Sequence, residues 1–132
     1  MTAKVTYLGN LRTEAEHLQS GTRMITDAPV DNHGKGESFS PTDTVATALA
    51  TCMLTIMGIK AQAMEISIEG TTAQVTKTMA TDPRRISKIE ILLTFPQKFD
   101  DKVMKIIENA AKTCPVFYSL HPDMEKDIKF IW

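Results

Sequence analysis

Two thiols are the side chains best equipped for chemistry in this 132-residue chain, and it has no other cysteine. Cys52 lies inside TVATALATCMLTIMGI, from Thr44 to Ile59, a run without one charged residue. Cys114 follows a second apolar helical pattern. A thiolate is both a nucleophile and an oxidisable group, yet burial alone raises a thiol's pKa and leaves it inert. A reactive sulfur in so dry a stretch therefore needs a cation or backbone donors beside it. Arg12, Arg23, Lys35, Arg84 and Arg85 are the candidate cations, and no spacing along the chain selects among them. A lone cysteine on an apolar helix is more often packing than chemistry. A pair, each following its own helical pattern, shifts that balance toward two sulfurs that meet. The residues by themselves leave the inert and the reactive readings both open.

Other reactive types carry weaker patterns. His17, His33 and His121 lie far apart and no CxxC is present, so no zinc site is expected. Gly34 and Gly36 lack the spacing of a phosphate-binding loop. The methionines, Met53, Met57 and Met64 among them, read as adaptable core filler rather than as ligands.

The elements that must position the thiols are well punctuated. Lys4–Leu8, Leu11–Leu18 and Thr22–Thr26 read as short strands, separated by the turn pairs Gly9-Asn10 and Ser20-Gly21. A Gly-, Pro- and Asp-containing loop from Asp27 to Phe39 leads to a helix start, with Ser40 as N-cap, Pro41 at the first helical position and Asp43 where a capping-box carboxylate belongs. The helix from Pro41 to Ala63 is apolar on most sides, with Val45, Ala48, Leu49, Cys52, Ile56 and Ile59 expected on one face beside a stripe of Thr44, Thr47, Thr51 and Thr55. Ile66–Glu69, Ala73–Thr81 and the alternating Lys88–Phe95 follow as strands, with a turn at Asp82-Pro83. Asp100 caps a second helix whose apolar face runs Val103, Ile106, Ile107, Ala110 and on to Cys114. Pro115 cannot continue that helix without losing a backbone hydrogen bond and instead opens a new turn with Cys114 as N-cap. Asp127–Trp132 is the expected last strand. The order is that of an α+β fold in one domain spanning residues 1–132.

Composition narrows the function classes. Apolar residues make up 42% and charged residues 23%, with a formal net charge of -1, so no basic footprint points to nucleic acid. The uncharged run is short and threonine-rich against the ~20 apolar residues of a membrane span, and MTAKVTYLGN has no apolar secretion core. A cytoplasmic protein with no membrane partner is the expectation, and in a reducing compartment its two cysteines are not a permanent staple. A helix with so little polar surface also implies a homodimer, because an isolated monomer would expose a large apolar patch.

The stretch GKGESFSPTDTVATALATCMLTIMGI, residues 34–59, with TCPVFYSL around Cys114, resembles the osmotically inducible protein C and organic hydroperoxide resistance (OsmC/Ohr) family. The likeness lies in a Ser-Pro entry to a long central helix that carries the first cysteine, and in a second cysteine after an amphipathic helix. Arg12, in GNLRTE after the first turn, matches the position of the family's active-site arginine. The resemblance implies antiparallel sheets wrapped around a long central helix in an intertwined homodimer, with active sites where the subunits meet. It implies a cysteine-based peroxidase for a small-molecule organic hydroperoxide, without metal, haem or flavin, re-reduced by an external dithiol. In those terms Cys52 is the peroxidatic thiolate, Cys114 the resolving thiol, and Arg12 the cation that stabilises the thiolate and orients the peroxide. One position departs. The family's glutamate directly after the helix-entry proline is Thr42 here, so that Asp43, one residue on, or Glu37 in the preceding loop stands as the arginine's partner. One step along a helix turns a side chain by about 100°. The competing expectation is a non-catalytic dimer of the same fold that binds a small hydrophobic ligand or acts as a scaffold.

Overall fold

A computed structural model describes all 132 residues, as two compact units, Met1–Val45 and Ala46–Trp132. The N-terminal unit is an antiparallel meander of β1 (Ala3–Gly9), β2 (Arg12–His17) and β3 (Arg23–Asp27), followed by a single 3-10 turn at Val30–Asn32. The first hairpin turns on Asn10 and Leu11, both at positive φ, one residue later than the expected Gly9-Asn10 pair. Two left-handed residues in a two-residue loop match the twist of the flanking strands, and the carbonyl of Leu11 is held by the N–H of Ala28 at 3.0 Å.

Helix α1 (Pro41–Ala63) begins with the expected capping box: Ser40 Oγ accepts from the Asp43 N–H at 3.0 Å while Asp43 Oδ2 accepts from the Ser40 N–H at 2.9 Å. Its end explains why Ile66–Glu69 is not the strand that its alternation suggests. Glu65 adopts a left-handed φ of 57°, and the N–H groups of Ile66 and Glu65 return to the carbonyls of Ala61 and Gln62, a Schellman close that occupies this stretch in the helix exit.

In the C-terminal unit β4 (Thr72–Ala80) pairs antiparallel with β5 (Arg85–Thr94), and β6 (Glu125–Ile131) lies parallel to β5 on its other side. The sheet is therefore mixed where an antiparallel one was expected. The connection from β5 to β6 runs through α2 (Asp101–Ala111) and α3 (Pro115–Ser119), which return the chain to the starting end of β5. Asp100 caps α2 by accepting from the Val103 N–H at 2.9 Å, an interaction of about 1 kcal/mol.

The core follows the period-two pattern of β5. Ile89, Ile91, Leu93 and Phe95 are buried together with Ile107, Ala111 and Cys114, against α1 residues Ala46, Leu49, Ala50, Met53, Met57 and Ala61. The face of α1 used here is rotated from the expected one. Leu49 belongs to it, but Val45 and Ile59 are exposed at 39% and 58%, and Cys52 and Ile56 are half-buried at its margin. At 23 residues α1 also exceeds the uncharged run, and its length and composition would suit a membrane span, a property it shares with core helices of soluble proteins. The C-terminus is locked to this core by Trp132, which stacks on Phe95 at a centroid distance of 3.6 Å and donates its indole N–H to Glu108 at 2.9 Å.

Because Leu49 is fully enclosed, Leu49→Ala is expected to lower the unfolding free energy by about 2–5 kcal/mol, lost dispersion and a residual cavity adding together. A urea titration should show this as an earlier midpoint at constant slope.

Candidate functional site

The two sulfurs are brought together within the C-terminal unit. Cys52 is carried by α1, half-buried at the edge of the core, while Cys114 has no exposed surface. They are free thiols and near neighbours, close enough for the Cys52 sulfur to act on the Cys114 thiol. Cys114 sits outside α2, which ends at Ala111, and is the N-cap of α3, as Pro115 requires. Its sulfur accepts from the Phe117 N–H at 3.3 Å. Burial pushes the Cys114 thiol up from its ordinary value; the Phe117 N–H opposes that shift, and the neighbouring Cys52 sulfur adds to it.

Arg12 forms a separate cluster within the N-terminal unit. Arg12 and Asp27 are directly opposed in the β2/β3 register. The guanidinium donates from Nε to Asp27 Oδ1 at 2.7 Å and from Nη2 to Asp27 Oδ2 at 2.8 Å, with a further bond from Nη2 to Glu37 Oε2 at 2.8 Å. The Asp27 side chain is 3% exposed and that of Glu37 62%. Hydrogen bonding to Arg12 holds the Asp27 carboxyl below its usual range, against the opposing effect of burial, and the two carboxylates together raise the Arg12 guanidinium further.

Of the expected carboxylates, Glu37 therefore reaches Arg12, while Asp43 is engaged with the backbone of Ser40 in the capping box. Thr42 Oγ1 lies 3.1 Å from Ser40 Oγ in the same helix entry. Asp27 was not singled out from the sequence, where it reads as the first residue of a polar loop; the signal for it is the pairing of β2 with β3, which places it across from Arg12. Among the other cations, Arg23 pairs with Glu14 at 3.4 Å and Glu16 at 3.8 Å, and Arg85 donates to the carbonyls of Thr81 and Pro83. No group of His, Cys, Asp or Glu side chains is arranged to hold a metal ion.

The loop that delivers Glu37 is tightly built. A Cβ on Gly34 would stand 1.7 Å from the Ala28 carbonyl oxygen, and Gly36 takes a φ of +63° that side chains rarely adopt. The N–H groups of Gly34 and Gly36 bond the carbonyls of Pro29 and Ala28. These glycines serve loop closure rather than phosphate binding.

Comparison with known proteins converges on one fold. The OsmC-like protein family model matches residues 34–129. A crystal structure from Psychrobacter arcticus 273-4, of a protein named by inference for osmotic stress induction and a detoxification response, is 62% identical, covers 98% of this chain and 95% of its own, and superposes with a TM-score of 0.96. Organic hydroperoxide resistance proteins of Legionella pneumophila (13% identity, 100% and 98% coverage, TM-score 0.78) and Elizabethkingia anophelis (14% identity, 99% and 96% coverage, TM-score 0.76) share the fold. No curated protein matches the chain.

The depressed Asp27 carboxyl has a consequence for stability. The ion pair with Arg12 contributes in full above the carboxyl's unfolded value of about 4, because there both states are ionised. Below that value the unfolded chain binds the proton first, so the contribution declines as pH falls toward the lower folded value. Asp27→Asn should flatten this part of the stability profile, measured by denaturant midpoints between neutral pH and pH 3.

Proposed function

Because the chain belongs to the OsmC-like family, we propose that it is a thiol-dependent peroxidase that reduces organic hydroperoxides. The observation that carries the reading is the meeting of Cys52 and Cys114, two thiols from separate helical elements in a largely apolar setting. In this reading the Cys52 thiolate attacks the distal peroxide oxygen. An S–O bond forms as the O–O bond breaks, the alkoxide leaves and takes up a proton as alcohol, and Cys52 becomes a sulfenic acid. The Cys114 sulfur then displaces the hydroxyl as water and closes a disulfide, which an external dithiol reduces by exchange. The proximity of the sulfurs suits the second step, in which Cys114 must reach the sulfenic acid on Cys52. Arg12 is the cation of the reaction, with Asp27 and Glu37 in place of the glutamate that the family carries at the position of Thr42. The apolar surroundings of Cys52 favour organic over inorganic peroxide.

A second reading, a dimer of this fold that binds a small hydrophobic ligand without turning it over, is favoured by a groove of about 460 Å³ whose apolar lining of Ile56, Ile59, Ala63, Ile106 and Ala110 is edged by Lys60, Asn109 and Thr113. Turnover separates the two. Wild-type protein with cumene hydroperoxide and a dithiol should consume peroxide, and Cys52→Ser should lower the rate to background. Equal rates for the two proteins would leave the binding reading standing.

The proposed assembly is a homodimer. In the N-terminal unit the three buried residues, Thr26, Asp27 and Ser40, are all polar, while Val5, Tyr7, Leu8, Leu11 and Met24 are exposed. A unit with no buried apolar side chain of its own does not fold on its own, and a second copy that covers these strands and the exposed Val45 and Ile59 answers the deficit. Sedimentation should give a dimer at micromolar concentration, and Ile59→Asp should yield aggregation or unfolding in place of a folded monomer.

A further inference from the structure

We propose that Asp27 is a positioning residue for the reaction: it grips Arg12 along the Nε–Nη2 edge and leaves Nη1 as the guanidinium nitrogen free to meet an anion. The inference rests on the peroxidase reading above and adds to it a residue and a role.

The two carboxylates on Arg12 are not equivalent. Asp27 makes two bonds, at 2.7 and 2.8 Å, from a nearly inaccessible side chain, whereas Glu37 makes one from an exposed side chain on a loop. A bidentate grip fixes the plane of a guanidinium as well as its position, so the direction of Nη1 is set by Asp27. Nη1 itself makes no hydrogen bond, while Nε and Nη2 are both engaged. The grip is stiffened from both strands. The Asp27 N–H bonds the Phe39 carbonyl at 3.0 Å, the Ala28 N–H bonds the Leu11 carbonyl at 3.0 Å, and Leu11, next to Arg12, is held at a φ of 61° that a leucine adopts only under constraint. The sheet thus orients the arginine through two consecutive residues on each side.

Charge alone does not account for Asp27. Two carboxylates around one guanidinium offset its charge, with Lys35 also close enough to act on Asp27, and this weakens the arginine's attraction for a thiolate or a developing alkoxide. What Asp27 contributes to the reaction is therefore orientation, at some cost in field. That distinguishes it from Glu37, whose exposed bond is screened by solvent.

The test is steady-state peroxidase kinetics of wild type, Asp27→Asn, Glu37→Gln, Arg12→Met and the double variant Arg12→Met/Asp27→Asn, with circular dichroism as a check of folding. Asparagine keeps one acceptor but turns an N–H donor toward Nη2, so one of the two bonds is lost. Asp27→Asn is expected to lower kcat by tenfold to about 100-fold with little change in KM, the scale of a misplaced reacting group, and Glu37→Gln by less than about fivefold. The double variant should fall within about twofold of Arg12→Met, because Asp27 acts only through the arginine. Wild-type kinetics for Asp27→Asn, or losses that multiply in the double variant, would overturn the proposal and leave the peroxidase reading intact. An inactive wild type would sink that reading and this one with it. Should Asp27→Asn fail to fold, Arg12→Lys decides: it keeps the charge but has no Nε–Nη2 edge for Asp27 to grip with two bonds. A loss as large as that of Arg12→Met supports the proposal, and a wild-type rate overturns it.

Discussion

A 23-residue helix with almost no polar face must be covered around most of its circumference, and much of this structure is the means of covering it. One side of α1 is closed within the C-terminal unit, where Leu49, Met53 and Met57 meet Ile89, Ile91 and Leu93 of β5 without exposed surface. Val45 and Ile59, on other positions of the helix, are exposed. Cys52 stands at the margin of the closed side and is half-buried there.

The second sulfur is placed by a backbone rule rather than by packing. Proline at the start of α3 forces a break after α2, and the residue before it must be extended. Cys114 takes that position, with φ -68° and ψ 143°, and spends its acceptor capacity on the Phe117 N–H. A residue fixed as a helix cap cannot drift far, and this holds the buried thiol in place near Cys52. Burial raises the thiol's pKa, and the Phe117 N–H opposes that shift.

Arg12 is organised differently from what the helix-entry resemblance implies. With Thr42 where the family has glutamate, its carboxylates come from β3 and from the glycine-closed loop. Asp43 takes part in the cap of α1. The arginine is thereby held by a buried strand acid and an exposed loop acid.

The chain wrote its local features plainly. The cap at Ser40, Pro41 and Asp43, the cap at Asp100, the Cys114-Pro115 start and the alternation of Ile89, Ile91 and Leu93 all depend on residues within four positions of each other, and each is where the sequence places it. Both thiols were legible as candidates for the same reason. Ile66–Glu69 was misread because its alternation is the same whether the segment pairs with a strand or closes a helix, and the hydrogen bonds to Ala61 and Gln62 decided for the helix exit. The rotated face of α1, the parallel placement of β6 and the pairing of Arg12 with Asp27 were decided by tertiary structure alone. Each depends on which distant segment comes alongside. An apolar helix offers several equivalent faces until a sheet selects one, and an arginine and an aspartate fifteen positions apart become partners only when a hairpin register sets them opposite each other.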